Sequence, residues 1–198
     1  MTHSLVARVV KAVNIAVAVL LVAGLALVYW YVWRPLPQRS GAVDAPLAAG
    51  ATVSFDTHGE PHIRAASQED AFFVQGYVTA QDRLFQMDAL RRYAGGSLAE
   101  ILGPNLLESD RESRKLRLRR IAEDAYITLP AGDRAAFAAY TRGVNQFIAT
   151  HLHNLPLEFT LLNYQPRPWS TVDCLLLCLH MYRSLTTTWK DEIVKNTL

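Results

Sequence analysis

The chain has 198 residues, 51% of them hydrophobic, and its 20 Lys and Arg residues nearly balance 18 Asp and Glu residues, which leaves a formal net charge of +2. This balance lacks the strong positive charge of nucleic-acid-binding proteins, and we expect no nucleic-acid partner. The two cysteines, Cys174 and Cys178, lie four residues apart with no Cys or His at zinc-ligand spacing, so they predict small buried side chains and no disulfide framework.

The amino terminus predicts a membrane-spanning helix. Residues 12–33 (AVNIAVAVLLVAGLALVYWYVW) carry no charge and are long enough to cross a bilayer. Arg8 and Lys11 precede this run and aromatic residues crowd its far end, a pattern that favours a cytoplasmic segment at 1–11 and a single-pass anchor in the inner membrane. The ectodomain would then lie in the periplasm or outside the cell. A cleaved secretory signal is the alternative, although the run is long for a signal core and ends in bulky side chains.

A linker and a short hairpin are predicted after the anchor. Residues 34–50 are rich in Pro, Gly and Ala and show no sustained period, which is typical of a connector. In the following body, residues 51–198, Val53 and Phe55 alternate with polar neighbours, DTHG supplies turn residues and PHIRA resumes an extended chain. These features predict two short antiparallel strands near the start of the ectodomain.

One long helix is predicted next. Ser67 with Asp70 three residues later has capping-box spacing, and the helical pattern runs to about Arg92. Two polar strips lie between two apolar stripes: a narrow one of Gln81, Asp88 and Arg92, and a wider one that carries Asp82. We expect these polar groups to be partly buried and to need partners, and we expect Asp82 and Arg83 to join a hydrogen-bonded network. If the helix is contacted on both sides, we also expect it to belong to a folded protein larger than this chain. The stripes consist of Phe73, Tyr77, Ala80, Leu84 and Met87, and of Val74, Val78, Phe85 and Ala89.

The remainder of the chain is predominantly helical by pattern. Paired glycines end the long helix, and a short helix is expected at 98–102. Helical patterns then run from Ser109 to a stop at Pro130, over 131–151, and from Val172 to about Leu185 after a proline-rich loop. The predicted fold class is therefore mostly α with a small β element and one amino-terminal transmembrane helix.

Two polar runs have alternative interpretations. The basic run RESRKLRLRR, residues 111–120, could hold nucleic acid or anionic lipid, but Glu112 interrupts it and acidic residues follow within a turn, which favours ion pairs along a helix. His58 and His62 lie four apart in HGEPH, where Gly59 and Pro61 oppose the helix that would aim both at one metal. We interpret them as loop histidines.

Several motifs together resemble one known family. The run GEPHIRAASQEDAFFVQGYVTAQDRLFQMDALRRYAGGSLAEILG, residues 59–103, resembles the start of penicillin acylase family members, which are N-terminal-nucleophile amidohydrolases. LPQRSG precedes this run, directly after the anchor, and AYTRGVNQFI, LPLEFTLLNYQPRPWS and a late EI follow it in the expected order, so the resemblance covers 36–198. It implies the small-chain (alpha) region of a hydrolase with a four-layer α+β architecture, in which this piece is a helical flank.

The resemblance also implies a function and a partner. Family precursors are several times longer and cut themselves, so that a Ser becomes the amino terminus of a large (beta) chain; this sequence stops before that Ser. The expected activity is hydrolysis of a linear amide in an N-acyl substrate, of the β-lactam side-chain or acyl-homoserine-lactone type, without an organic cofactor. The alternative is a truncated, non-catalytic, membrane-tethered binding or scaffold module.

Site residues follow from the resemblance one by one. The EI match puts a structural calcium ligand of the family on Glu192, a hard oxygen ligand of the appropriate kind. Counting back from it, the pocket-lining helix falls on Met181, Tyr182, Leu185 and Thr186 as substrate-binding residues. The family uses Arg then Phe where this chain has Leu185 and Thr186, unless the register slips and Arg183 takes the Arg role. No catalytic residue is expected in this chain.

Overall fold

The computed structural model describes residues 2–186, beginning with a long apolar helix. Helix α1 (Thr2–Val28) continues into a π-helical turn at Tyr29–Trp33. Within residues 6–33, an 18-residue stretch has a mean hydropathy of 2.5 and is not buried by the rest of the chain, so this helix is long and apolar enough to cross a membrane. A signal sequence would meet the same criterion.

A two-stranded antiparallel hairpin follows the irregular residues 34–50, as predicted. Strand β1 (Ala51–Phe55) pairs with β2 (Pro61–Ala65), and Val53 lies opposite Ile63. The Asp56 carboxylate closes the turn by accepting hydrogen bonds from the backbone N–H groups of His58 and Glu60, at 2.9 and 2.8 Å. His58 of the HGEPH run therefore belongs to the turn and His62 to strand β2. His62 Nε2 lies 3.7 Å from Asp56 Oδ2.

Helix α2 (Gln68–Gly95) is the central element of the body. The Ser67 hydroxyl caps its start by accepting a hydrogen bond from the Asp70 N–H at 3.0 Å, as the spacing predicts. Its end is fixed by Gly96, which adopts the left-handed conformation at φ 71° and so ends the helix three residues beyond the predicted position. Arg83 leaves helical geometry (φ −141°, ψ 24°), and the helix is kinked there.

Both apolar stripes of α2 are covered within this chain. One core cluster joins Tyr77, Ala80, Leu84 and Met87 to later helices. A second joins Phe73, Val74 and Val78 to the hairpin and to Ala45 and Leu47 of the preceding irregular segment, which also sends the N–H groups of Ala48 and Ala49 to the Asp70 carboxylate. The two-sided pattern therefore does not by itself require a second chain, because residues 45–63 return over the same helix.

Short helices follow, and their charges pair along the surface. The bounds are α3 (Ala99–Leu102), a 3₁₀ turn (Pro104–Leu106), α4 (Leu107–Lys115) and α5 (Leu118–Thr128). Arg117, with φ 53°, separates α4 from α5, so the predicted single pattern becomes two helices. Exposed i,i+3 and i,i+4 pairs confirm the ion-pairing interpretation of the basic run: Arg111 with Glu108, Lys115 with Glu112, and Arg120 with Asp124.

Three further helices complete the described part of the chain: α6 (Ala131–His151), α7 (Leu157–Leu161) and α8 (Thr171–Leu185). Helix α6 crosses α2 at unusually short range, because a Cβ on Gly76 would lie 2.1 Å from the Tyr140 carbonyl oxygen and one on Gly143 would lie 1.9 Å from that of Phe73. Glycine at both positions lets the two backbones touch. The main core fills the remaining space with Val144, Phe147, Ile148, Phe159 and Trp169.

Candidate functional site

The four predicted pocket residues lie together at the carboxyl end of α8. Met181, Tyr182 and Leu185 are 60%, 71% and 75% exposed, and Thr186 directly after the helix is exposed as well. At 100° per residue these positions fall on one side of the helix, which we call the terminal face of α8. A contiguous exposed apolar surface of this kind is typical of an interaction or ligand-binding site. The predicted calcium ligand, Glu192, lies outside the described residues.

A capping box fixes the other end of α8. The Ser170 hydroxyl accepts a hydrogen bond from the Asp173 N–H at 3.2 Å, and the Asp173 carboxylate accepts one in return from the Ser170 N–H at 2.9 Å. The helix therefore begins at a position determined by these two residues. The direction of its terminal face depends on what holds this cap against the rest of the body.

Asp173 joins α8 to two other helices. One carboxylate oxygen accepts a hydrogen bond from Arg91 of α2 at 3.3 Å, and the other accepts one from Arg119 of α5 at 3.0 Å. The Asp173 and Arg91 side chains are 6% and 3% exposed, so this contact is removed from water. Charge-assisted hydrogen bonds that are shielded from solvent fix geometry well. Asp173 thus orients α8 relative to α2 and α5.

Arg91 also holds the loop that leads into α8. Its guanidinium donates to the backbone carbonyls of Arg167 and Pro168, at 2.7 and 3.1 Å, and its carbon Cζ lies 4.8 Å from the centre of the Trp169 ring. The Trp169 indole N–H in turn points at the Cys174 sulfur, 3.2 Å away. The PRPWS segment is therefore a rigid support, and its arginine partner comes from the DALRR motif of α2.

Asp88 completes the buried group. Its carboxylate accepts hydrogen bonds from Arg91 Nη2 at 2.5 Å, from Arg92 Nε at 2.8 Å and from the Tyr164 hydroxyl at 2.9 Å. The Asp88 side chain is 1% exposed. Arg92 reaches onward to Glu100 at 2.8 Å. We call this set the Asp88 network; its members are Asp88, Arg91, Arg92, Glu100, Arg119, Tyr164 and Asp173.

The prediction that Asp82 and Arg83 are buried was wrong, since both are exposed at the kink of α2. The expectation of a partly buried, hydrogen-bonded polar strip is confirmed for Asp88 and Arg92, which lie later on the helix. The i, i+3 spacing of Asp88 with Arg91 is the sequence signal that could have added Arg91 to this network.

Three members of the Asp88 network, Asp173, Arg92 and Tyr164, have shifted pKa values. Burial raises the pKa of Asp173, but hydrogen bonds from Ser170 and Arg119 and the charge of Arg91 outweigh it and leave that pKa below its ordinary value. Burial lowers the pKa of Arg92, and its bonds to Asp88 and Glu100 raise it by more. Burial and the Asp88 carboxylate raise the pKa of Tyr164, which stays a neutral donor. The network therefore positions helices instead of transferring protons.

The two cysteines differ in environment. Cys174 is buried as predicted, and burial raises the pKa of its thiol, which disfavours the nucleophilic thiolate. Cys178 is exposed next to the terminal face of α8, so the prediction of burial was wrong for this residue. The reason is that, one turn after Cys174, this side of α8 no longer packs against the other helices. Among residues 2–186 no three His, Cys, Asp or Glu side chains are grouped as a metal site.

Comparison with known proteins assigns the chain to a family. A family model described as penicillin amidase matches residues 50–198, which is most of the chain and includes the whole Asp88 network and the terminal face of α8. The chain belongs to the penicillin amidase family. The resemblance of the motifs between residues 36 and 198 is thereby confirmed.

Individual relatives in the penicillin amidase family agree with this assignment. The penicillin acylase 2 proenzyme of Pseudomonas sp. (strain SE83) is 41% identical over 135 residues, covering 68% of this chain and 17% of the relative. An acyl-homoserine lactone acylase of Pseudomonas aeruginosa is 35% identical over 164 residues, covering 82% and 19%. The chain spans about a fifth of the length of these curated relatives.

A solved structure of the family supports the fold. The thermostable penicillin G acylase from Alcaligenes faecalis matches with a TM-score of 0.61 and 29% sequence identity, covering 66% of this chain and 70% of that chain. The mostly helical body with its small sheet is therefore an arrangement that the family uses.

Proposed function

We propose that this chain is the small-chain region of an amide hydrolase whose nucleophile is the amino-terminal Ser of a large chain made from the same precursor. The observation that carries the proposal is the terminal face of α8, which is apolar, exposed and held in place by a buried charge network. A helix end that is fixed so firmly and yet left uncovered is suited to a partner chain or a ligand. One relative of similar sequence is described as a proenzyme.

The proposed reaction is hydrolysis of a linear amide bond in an N-acyl substrate, either a β-lactam side chain or an acyl-homoserine lactone. The Ser hydroxyl would attack the amide carbonyl with its own α-amine as base, and donors of the large chain would stabilise the oxyanion. The role of this chain is to supply one wall of the acyl pocket. Met181, Tyr182, Leu185 and Thr186 are the residues proposed for that wall.

Within the assembled enzyme, this chain would form the helical flank of the four-layer α+β architecture. Calcium is proposed at Glu192, which would need further oxygen ligands from the large chain, because one carboxylate does not make a calcium site. Calcium at that position would join the two chains structurally. No organic cofactor takes part in the proposed reaction.

Residues 12–33 are proposed as an uncleaved anchor in the inner membrane, with residues 1–11 in the cytoplasm and the body in the periplasm or outside the cell. The support is the length of this uncharged run, the mean hydropathy of 2.5 of an 18-residue stretch of the helix and the aromatic residues at its far end. Alkaline extraction of membranes from cells that express the complete gene product tests the anchor. Retention of the small chain with its original amino terminus is expected, and its release in a shortened form would support a cleaved signal.

The first test of the enzyme proposal is to express the complete gene product and determine the masses and amino-terminal residues of its mature chains. We expect two chains, the larger beginning with Ser, and hydrolysis of a panel of acyl amides. Replacement of that Ser by Ala is the control, and it should abolish both cleavage and activity. A single unprocessed product without amidase activity would overturn the proposal and favour a tethered, non-catalytic module.

A further inference from the structure

The end of the anchor helix and the loop between α6 and α7 line an open pocket of about 340 Å³. Trp30, Tyr31 and Pro35 line one side of it, and residues between 152 and 165 line the other. The Asn154 side-chain amide donates a hydrogen bond to the Arg34 carbonyl at 2.9 Å. The body therefore contacts the end of the anchor, whose Trp30 and Tyr31 side chains remain 55% and 39% exposed.

The length of the anchor defines the depth of this contact. The uncharged run of residues 12–33 is about 33 Å long at the rise of an α-helix, against about 30 Å of hydrocarbon and about 40–45 Å with both headgroup layers. Its last residues therefore lie where the hydrocarbon meets the outer headgroup layer. Because Trp30 and Tyr31 share a pocket with residues 152–165, those residues lie at about the same depth.

Apolar side chains are exposed on this part of the body. Leu161 of α7 is 72% exposed, Leu152 at the end of α6 is 40% exposed, and Leu36 just after the anchor is 53% exposed. Trp33 is 67% exposed, and the Arg34 guanidinium stacks over the Trp30 ring at 4.4 Å. Leucine, tryptophan and arginine together are the side chains that interfacial segments present to acyl chains and headgroups.

We propose that the α6–α7 loop, Leu161 of α7 and the end of the anchor form one lipid-contacting face, with Leu152 and Leu161 inserted in the headgroup layer of the bilayer. The inference rests on the proposed anchor. Its partner is the lipid surface, because the face is continuous with the interfacial end of the membrane helix. The body then lies against the membrane in one fixed orientation.

Site-specific fluorescence tests this face in the complete protein reconstituted into nanodiscs of phosphatidylcholine and phosphatidylglycerol. Cys178→Ser, together with replacement of any other accessible cysteine, gives a background for single labelling with a polarity-sensitive probe at Leu161→Cys. The matched control is Ile127→Cys on α5, an aliphatic residue that is 71% exposed. We expect the 161 probe to emit at shorter wavelength than the 127 probe and to lose intensity with headgroup spin-labelled lipid, while the 127 probe does not.

Each other outcome has a distinct meaning. Equal emission and equal quenching at 161 and 127, in a protein that resists alkaline extraction, would overturn the lipid-contacting face and leave the anchor standing. A short-wavelength emission at 161 without lipid quenching would also overturn it, because another protein surface would then cover the residue. Release of the chain by alkaline extraction would overturn the anchor and this inference together, without affecting the proposed amidase activity.

Discussion

Asp88 is the residue on which the buried charges depend most. It accepts hydrogen bonds from two guanidinium groups and one phenol, and its side chain is 1% exposed. Removal of its charge leaves Arg91 and Arg92 buried with fewer partners, which costs far more than the pair itself contributes. The geometry of the α8 cap therefore depends, through Arg91, on a carboxylate that lies on a different helix.

We expect Asp88→Asn to destabilise the protein by about 3–5 kcal/mol, the usual cost of breaking a buried ion pair. Asp124→Asn is the matched control, because the Asp124 pair with Arg120 is exposed and should contribute at most about 1 kcal/mol. Urea unfolding of the complete protein, followed by circular dichroism, measures both. Equal midpoints for the two variants would show that the network contributes no more than a surface pair.

Asp173 gives stability a defined pH dependence. Its pKa in the folded chain is below the ordinary value of about 3.9, since partners outweigh burial. When the pKa of a carboxyl group is lower in the folded than in the unfolded chain, the group contributes its full stabilisation of the fold at pH values above the pKa of the unfolded chain. This stabilisation is lost as the pH falls through the pKa of the folded chain. We expect the urea midpoint to fall on acidification below about pH 5, and to fall less steeply for Asp173→Asn.

The Asp173 comparison needs a carboxyl that has no such role. Asp124→Asn should retain the full pH dependence, because that group is exposed. Asp56 and Asp70 also have lowered pKa values, through hydrogen bonds from backbone N–H groups. The Asp173→Asn profile should therefore keep part of its slope. A profile identical to that of the unaltered protein would contradict the assignment.

At the scale of elements, the crossing of α2 and α6 sets the position of everything packed on them. Gly143 leaves no room for a methyl group against the Phe73 carbonyl oxygen. We expect Gly143→Ala to lower the stability by about 1–3 kcal/mol or more, the cost of overpacking. Gly132→Ala, in the open first turn of α6, should be neutral or stabilising by up to about 1 kcal/mol. The melting temperature should fall for Gly143→Ala and stay the same or rise for Gly132→Ala. An equal fall in both variants would refute the argument from the helix crossing.

Local chemistry explains which elements could be predicted from the sequence. The starts of α2 and α8 follow from Ser67 and Ser170, and the end of α2 follows from Gly96, because each cap involves residues only a few positions apart. The hairpin likewise follows from Asp56 and its turn. Helical periodicity and short-range hydrogen bonds were enough for all of these.

Burial on α2 could not be predicted in the same way. The pattern shows two apolar stripes but not what covers them. The chain covers Val74 and Val78 of the second stripe with residues between 45 and 63, and the linker interpretation had left residues 45–50 unpacked. Asp82 and Arg83 were expected in the polar network, but both are exposed at the kink of α2. Asp173 and Tyr164 reach Asp88 and Arg91 only through tertiary packing over about 80 residues of sequence.

At the scale of the whole molecule, the terminal face of α8 is exposed to solvent on a helix that is firmly held at its other end. The Asp88 network, the cap and the PRPWS support all act at the start of the helix, while Met181, Tyr182 and Leu185 remain uncovered at its end. The aromatic contact of His180 with Tyr93, with ring centres 5.3 Å apart, is a further tie between α8 and α2. A surface that is preorganised in this way would require no rearrangement on contact with the proposed large chain or acyl group.

The role of this face as an acyl-pocket wall predicts a specific kinetic change. Leu185→Ala in the processed enzyme removes apolar contact of about 1.5–3 kcal/mol, so we expect KM for a substrate with a bulky acyl group to rise roughly tenfold or more. A substrate with a short acyl group, which does not reach the wall, should be unaffected. Ile127→Ala is the control, since Ile127 is exposed to a similar extent on α5. If both variants left KM unchanged for every acyl length, the end of α8 would serve only to pack against the large chain.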